Sequence, residues 1–233
     1  MLKIRCSALG LIMTPARSKS EVLSKTAKTY IKQLAIENYF GRKKEITSRY
    51  LTKGIDQERE SIDLVQDTSK WNFLYKNEEQ RENDYLTGTP DVITDKVLLD
   101  VKSSWDVFTH AEHLLEDELQ NKKYYWQMQG YMALFRRKKS YLIYCLPNTP
   151  QDIIEDEVRR AVWNERKIDE DEEIRNHVEH NHIFDDLNDM HRVKKFEVFY
   201  NKEDIQKAYE KIEHAREYYE SLITKFENHV KES

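Results

Sequence analysis

Residues 88–104 constrain the fold of this chain more than any other stretch. Val92-Ile93 and Val97-Leu98-Leu99 are β-formers on either side of the polar break Thr94-Asp95-Lys96, which predicts one strand running up, a turn and one strand returning. In the returning strand Asp100 and Lys102 stand two residues apart and share a face, while Val101 points to the opposite face and packs. The other strand starts from Gly88-Thr89-Pro90-Asp91, so Asp91 and Asp100 are brought close together.

Two acids and a lysine on one surface suit the hydrolysis of a phosphodiester. That reaction needs an activated water, compensation of charge on the phosphoryl oxygens and help for the leaving oxygen, all of which a divalent cation supplies. Oxygen donors such as Asp91, Asp100 and the main-chain carbonyl of Val101 favour Mg²⁺, with Mn²⁺ as a substitute, over zinc. Lys102 is placed to orient the water and offset negative charge. Upstream, Lys53 to Ile62 reads as the start of a helix with a glycine entry, and Glu58 is the third candidate carboxylate. Downstream, Tyr124 to Leu134 has helical character, and Gln127 and Tyr131 fall on one face at i and i+4. An amide and a phenol there can hydrogen-bond a phosphate or brace the lysine.

The order G-x-x-x-E (Gly54 to Glu58), G-T-P-D (Gly88 to Asp91), D-x-K (Asp100 to Lys102) and Q-x-x-x-Y (Gln127 to Tyr131) resembles the PD-(D/E)XK nuclease superfamily. Within it the pattern is most similar to the phage-type recombination exonucleases, the lambda exonuclease and YqaJ-like group. The resemblance implies an α/β fold with a restriction-endonuclease-like core, a mixed central sheet flanked by helices, and an additional helical C-terminal part. It implies Glu58, Asp91 and Asp100 as acidic metal-site residues, Lys102 as the catalytic lysine, and Gln127 and Tyr131 completing the site. Ser104 is implied beside a phosphate. Asp56 and Glu60 flank Glu58 and compete for its position, and the spacing from Gly54 selects Glu58. Asp100 stands where many relatives carry Glu. With only Cys6 and Cys145, the chain lacks the four cysteines of the iron–sulfur cluster that CRISPR-associated relatives use.

The implied activity is a Mg²⁺-dependent DNA exonuclease acting on double-stranded ends, 5′ to 3′, in phage-type recombination beside a single-strand annealing protein. A homo-oligomer, most simply a trimer, goes with it. An endonuclease of the same superfamily, restriction-like or junction-resolving, and an inactive DNA-binding protein are the alternatives.

The net charge of −5 looks wrong for a DNA enzyme until it is divided along the chain. Residues 1–53 hold twelve Lys and Arg against three Glu, a net +9, which leaves −14 for the remainder. This basic region reads as one wall of a DNA channel or, equally, as the solvated face of a helix over about Ser20 to Arg42. Arg5, Ser7 and Arg17 are its candidate DNA contacts, because YqaJ-like proteins use their N-terminal region near the DNA end. Trp105, directly after Ser104, is a further DNA candidate, whereas Trp71, Phe73, Tyr75, Tyr85 and Phe108 read as core.

Five glycines and four prolines in 233 residues leave little material for a linker, so one domain is expected: a basic region over 1–52, a catalytic core over 53–146 and a C-terminal elaboration over 147–233. There is no apolar run long enough to span a bilayer. The apolar opening Met1 to Met13 is short for a signal peptide and has no A-x-A-like cleavage site, which places the protein in the cytoplasm. Asp152 to Lys167 reads as a helix, and Asp169 to Glu173 as a solvated acidic run. His177, His180, His182 and His191 lack regular metal-ligand spacing and read as polar surface. Lys195 to Tyr200 reads as a last strand before a long helix, Lys202 to Val230, whose Ile205, Tyr209, Ile212, Ala215, Tyr219, Leu222 and Phe226 form an apolar stripe.

Overall fold

The structure is a computed structural model that describes residues 1–44, 57–71, 73–165 and 172–231. Gly54 and Asp56 lie outside the described residues, as does most of the acidic run over 169–173.

The expected hairpin forms: β4 (Val92–Ile93) and β5 (Leu98–Ser103) pair antiparallel with Val92 opposite Leu99 and Ile93 opposite Leu98. Thr94 closes the turn, its N–H and hydroxyl both reaching the Val97 carbonyl at 3.0 Å. Next in the sheet comes β6 (Lys139–Cys145), parallel to β5, and then β7 (Val193–Phe199), antiparallel to β6. The order β4-β5-β6-β7 is thus mixed, and the parallel step requires a crossover. Two helices supply it, α4 (Val107–Leu115) and α5 (Lys122–Phe135).

Between α3 (Glu58–Asp67) and that crossover the sequence shows the two strands of the hairpin, whereas the chain makes four strands in two sheets. β2 (Arg81–Glu82) and β3 (Leu86–Gly88) join β1 (Ile4–Arg5) in a separate sheet, with β1 parallel to β3. Pro90 explains the split, because it has no N–H to continue a ladder from β3 into β4.

The opening segment is core. Ile4, Cys6, Leu9 and Ile12 are fully buried in β1, a 3-10 turn (Cys6–Ala8) and α1 (Leu9–Met13). Cys6 acts as a spacer: a Cβ placed on Gly88 or on Gly130 would come within 2.8 or 2.9 Å of its Sγ. Only glycine lets the G-T-P-D strand and α5 approach the same sulfur, and this contact sets the distance between the two halves of the site. Helix α5 is anchored by Met128, Met132 and Phe135, each buried side chain contributing roughly 1.5–3 kcal/mol.

The expected N-terminal helix is shorter than read. It is α2 (Lys25–Phe40), because Ser24 caps it by accepting from Ala27 N–H at 3.1 Å and Gly41, at φ +63°, ends it. After β6, α6 (Gln151–Asn164) and α7 (Glu172–His180) pair through their own small core of Ile154, Val158, Ile174 and Val178. The chain then enters β7 and α8 (Lys202–Lys231), which buries Ala208, Ile212 and Ala215 against the main core, with Ile205 also buried, while Phe226 meets Tyr39 of α2 with ring centroids 5.0 Å apart. Among the described residues no helix is long and apolar enough to cross a membrane.

Three of the aromatics read as core are not. Phe73, Tyr75 and Phe108 are exposed, the first two in the coil that follows α3 and the third on the outer face of the first turn of α4. Trp71 and Tyr85 do pack, Trp71 edge-on to Tyr141 and Tyr85 stacked on Tyr209.

Candidate active site

Asp100 is the buried centre of the site, 1% exposed on the middle strand β5. Its Oδ1 accepts from Gln127 Nε2 at 2.8 Å, and its Oδ2 lies 2.7 Å from the Lys102 ammonium. Gln127 Nε2 also donates to Tyr131 Oη at 3.1 Å, so the i, i+4 pair of α5 reaches the acid of β5 as one unit. Burial, and next to it the charge of Asp100, push the Tyr131 phenol up, so Tyr131 stays a neutral hydroxyl.

Asp91 stands just before the β4–β5 ladder begins. There its Oδ2 accepts the Val101 N–H at 2.7 Å, a main-chain donor that would otherwise lack a partner on that edge. Burial, and then the neighbouring Asp100 charge, push the Asp91 carboxyl up to about 7, against the opposing pull of Lys102 and the Val101 N–H. Glu58 adds to the same repulsion. Lys102 shows the complementary effect. Burial opposes its charge, yet Asp100 and Asp91 outweigh that and hold its pKa above the ordinary lysine value, with the Tyr124 ring 5.3 Å from its ammonium. Val101 itself packs on the opposite face of the strand, as its position between Asp100 and Lys102 requires.

Glu58 opens α3, where a carboxylate is favoured by the helix dipole, and its Oε2 is paired with Lys76 at 2.5 Å. Glu60 is turned elsewhere, its Oε1 accepting from Asn148 N–H at 3.1 Å. A Ser61–Ser103 hydroxyl contact of 3.0 Å ties α3 to β5. Among the described residues no three His, Cys, Asp or Glu side chains converge on one point, and Glu58 is held by Lys76. The donor chemistry nevertheless fits a hard dication. Asp100 Oδ2 is buried without a well-aligned hydrogen-bond donor, and a cation beside it would let Asp91 ionise.

Ser104 follows β5, its N–H donating to Cys145 O at 2.7 Å and its hydroxyl meeting His110 Nδ1 at 3.0 Å. Being 4% exposed and engaged with His110, Ser104 is braced from behind, where the sequence had placed it beside a phosphate. Trp105 is half-buried with its ring edge-on to His182. Arg5 is exposed in register with Thr87, its charge acting on the Tyr30 phenol, and Ser7 is exposed in the turn next to Cys6. Arg17 lines an open groove of about 770 Å³ between α1 and α2, with Ser24, Lys25, Tyr30 and Gln33. Two of the cations after α5 have structural partners: Arg137 donates to Thr94 O at 3.2 Å and Lys139 pairs with Glu197.

Lys76 and His110 were missed in the sequence. Lys76 sits in a segment without periodicity. His110 belongs to α4, a stretch from which only Phe108 was singled out, although a histidine six residues after the D-x-K-S-S run was visible.

No protein-family model matches the chain, and no curated protein does. Solved structures do. A phage-related exonuclease from Haemophilus somnus 129PT superposes with a TM-score of 0.77 at 27% identity, over 97% of this chain and 96% of that one. The alkaline exonuclease LHK-Exo from Laribacter hongkongensis superposes at 0.67 with 14% identity, over 99% of this chain and 94% of that one. Its complex with dAMP gives 0.66 and 15% over the same shares. The fold is that of a PD-(D/E)XK nuclease. Within that class, the structural likeness is to the phage-type exonucleases of the lambda-exonuclease and YqaJ-like kind.

Proposed function

We propose that the protein is a DNA exonuclease that uses a divalent metal, Mg²⁺ or Mn²⁺, to hydrolyse phosphodiester bonds at duplex ends, running 5′ to 3′. The observation that carries this reading is the pair Asp91 and Asp100 with Lys102 at 2.7 Å from Asp100, on a fold shared with phage-type exonucleases. When bound, the metal would polarise the phosphoryl oxygens and lower the pKa of a coordinated water. Asp91 and Asp100 would hold it, joined by the Val101 carbonyl and by Glu58 once that side chain leaves Lys76. Lys102 would orient the attacking water and stabilise the charge that develops. Gln127 fixes the rotamer of Asp100, and Tyr131 supports Gln127. Arg5, Ser7 and Arg17 would meet phosphates, and Trp105 would border the scissile strand, with Ser104 held behind it by His110.

A closed ring of copies, most simply a trimer, would make digestion processive, and a single-strand annealing protein is the partner for the exposed strand. Two free, buried cysteines fit the cytoplasm. The test compares linear duplex with covalently closed circular DNA, with Mg²⁺ and with EDTA. Loss of the linear form alone, and only with metal, supports the reading. Cutting of the circle at an equal rate would move the protein to the endonucleases.

A further inference from the structure

The segment that follows α3, held to the start of the catalytic hairpin through Asn77, carries two large aromatic rings that face solvent on a fixed backbone. Phe73 and Tyr75 are 77% and 73% exposed, while Leu74 between them is buried against the sheet. Leu74 N–H donates to Gln66 Oε1 at 2.9 Å, Lys76 reaches Glu58 at 2.5 Å, and Asn77 N–H donates to Asp91 O at 2.7 Å. The backbone is therefore pinned on both sides of Tyr75, and the residue after Tyr75 touches one of the site's acids. Phe73 adopts φ +59°, a left-handed conformation that a residue with a β-carbon avoids, and its ring gains no burial in exchange. Rigid presentation of exposed rings beside a lysine and a phosphodiester site is the arrangement that holds unpaired nucleobases, because every base offers a π-face and stacking tolerates any sequence.

We propose that Phe73 and Tyr75 form a stacking surface for the unpaired bases of the DNA strand that enters the site, with Lys76 beside them for its phosphate. This rests on the nuclease reading above. Its occupant is single-stranded DNA, argued from continuity with the Glu58–Asp91 site, whose Asp91 carbonyl accepts from Asn77 N–H of the same segment.

The test is fluorescence anisotropy in EDTA with a labelled oligothymidylate and a labelled abasic strand of equal length. Wild type binds the thymidylate roughly fivefold or more tightly than the abasic strand, as loss of one stacked base requires. The Phe73→Ser/Tyr75→Ser double variant loses that preference and keeps the abasic affinity, and Tyr75→Trp retains the preference. Wild type that binds both strands equally, or neither, overturns the inference, as does a double variant that still prefers the thymidylate. Should the double variant keep the preference and change its mass by light scattering, the rings belong to a contact between copies and the inference falls. Hydrolysis of linear duplex by the same preparations in Mg²⁺ reports separately on the nuclease reading.

Discussion

Lys76 Nζ lies 2.5 Å from Glu58 Oε2, so the third carboxylate expected at the metal site is neutralised by an ammonium from the neighbouring segment. The pair is half open to solvent on the lysine side, which limits its worth to a few tenths of a kcal/mol up to about 1 kcal/mol. An incoming dication can displace so weak a partner.

Lys76→Gln should therefore tighten metal binding, by about two- to fivefold, because Glu58 is released and a nearby positive charge is removed. Titration with Mn²⁺ followed by electron paramagnetic resonance measures this without any turnover. An unchanged or weaker affinity would mean that Lys76 does not compete for Glu58.

Asp91 sets one side of the pH response. Its folded pKa of about 7 lies above the ordinary aspartate value, so between roughly pH 4 and 7 the metal-free folded state holds a proton that the unfolded chain has lost. The contribution of this group to stability is full at the acid end of the window and is lost as pH rises through 7. Asp91→Asn should remove that slope, and Mg²⁺ should stabilise wild type more at pH 8 than at pH 6. Thermal melts of both proteins across that range decide it, and parallel curves would contradict it.

His110 sets the opposite slope. Burial, and then His113, push its pKa down to about 4, so as pH falls below 6.5 the unfolded chain takes up the proton first and stability is lost down to pH 4. The full shift corresponds to about 3 kcal/mol. His110→Gln should flatten this loss in urea titrations between pH 7 and 4. A variant with the same acid sensitivity as wild type would show that the imidazole is already charged in the fold.

Packing at Cys6 predicts a stability effect that distance from the acids alone would not. Gly130→Ala places a methyl 2.9 Å from Cys6 Sγ and should cost about 1–3 kcal/mol. Pairing it with Cys6→Ala should recover part of the loss, a result that urea midpoints would report. Equal midpoints for wild type and Gly130→Ala would show that the helix can shift freely.

The local parts of this site were legible in the sequence. Alternation put Asp100 and Lys102 on one face, the polar break gave the hairpin, and the i, i+4 spacing joined Gln127 to Tyr131, all within one strand or one helix turn. The contacts that the sequence hid are those between segments far apart in the chain: Lys76 with Glu58, Cys6 with Gly88 and Gly130, Asp91 with the Val101 N–H beyond the ladder. Burial of aromatics was misjudged at Phe73, Tyr75 and Phe108 because composition cannot tell which coil or helix face a layer will cover.

The most direct measurement is release of label from a 5′-labelled linear duplex at saturating Mg²⁺ by wild type and by Asp91→Ala, Asp100→Ala and Lys102→Ala. Folding of each is checked by circular dichroism. Wild type should release labelled nucleotide early, and each variant should fall by more than the roughly 10- to 100-fold that an outer partner such as Gln127 costs when changed to Leu. A folded variant with near wild-type turnover, or release that survives exhaustive EDTA, would contradict the assignment of the site.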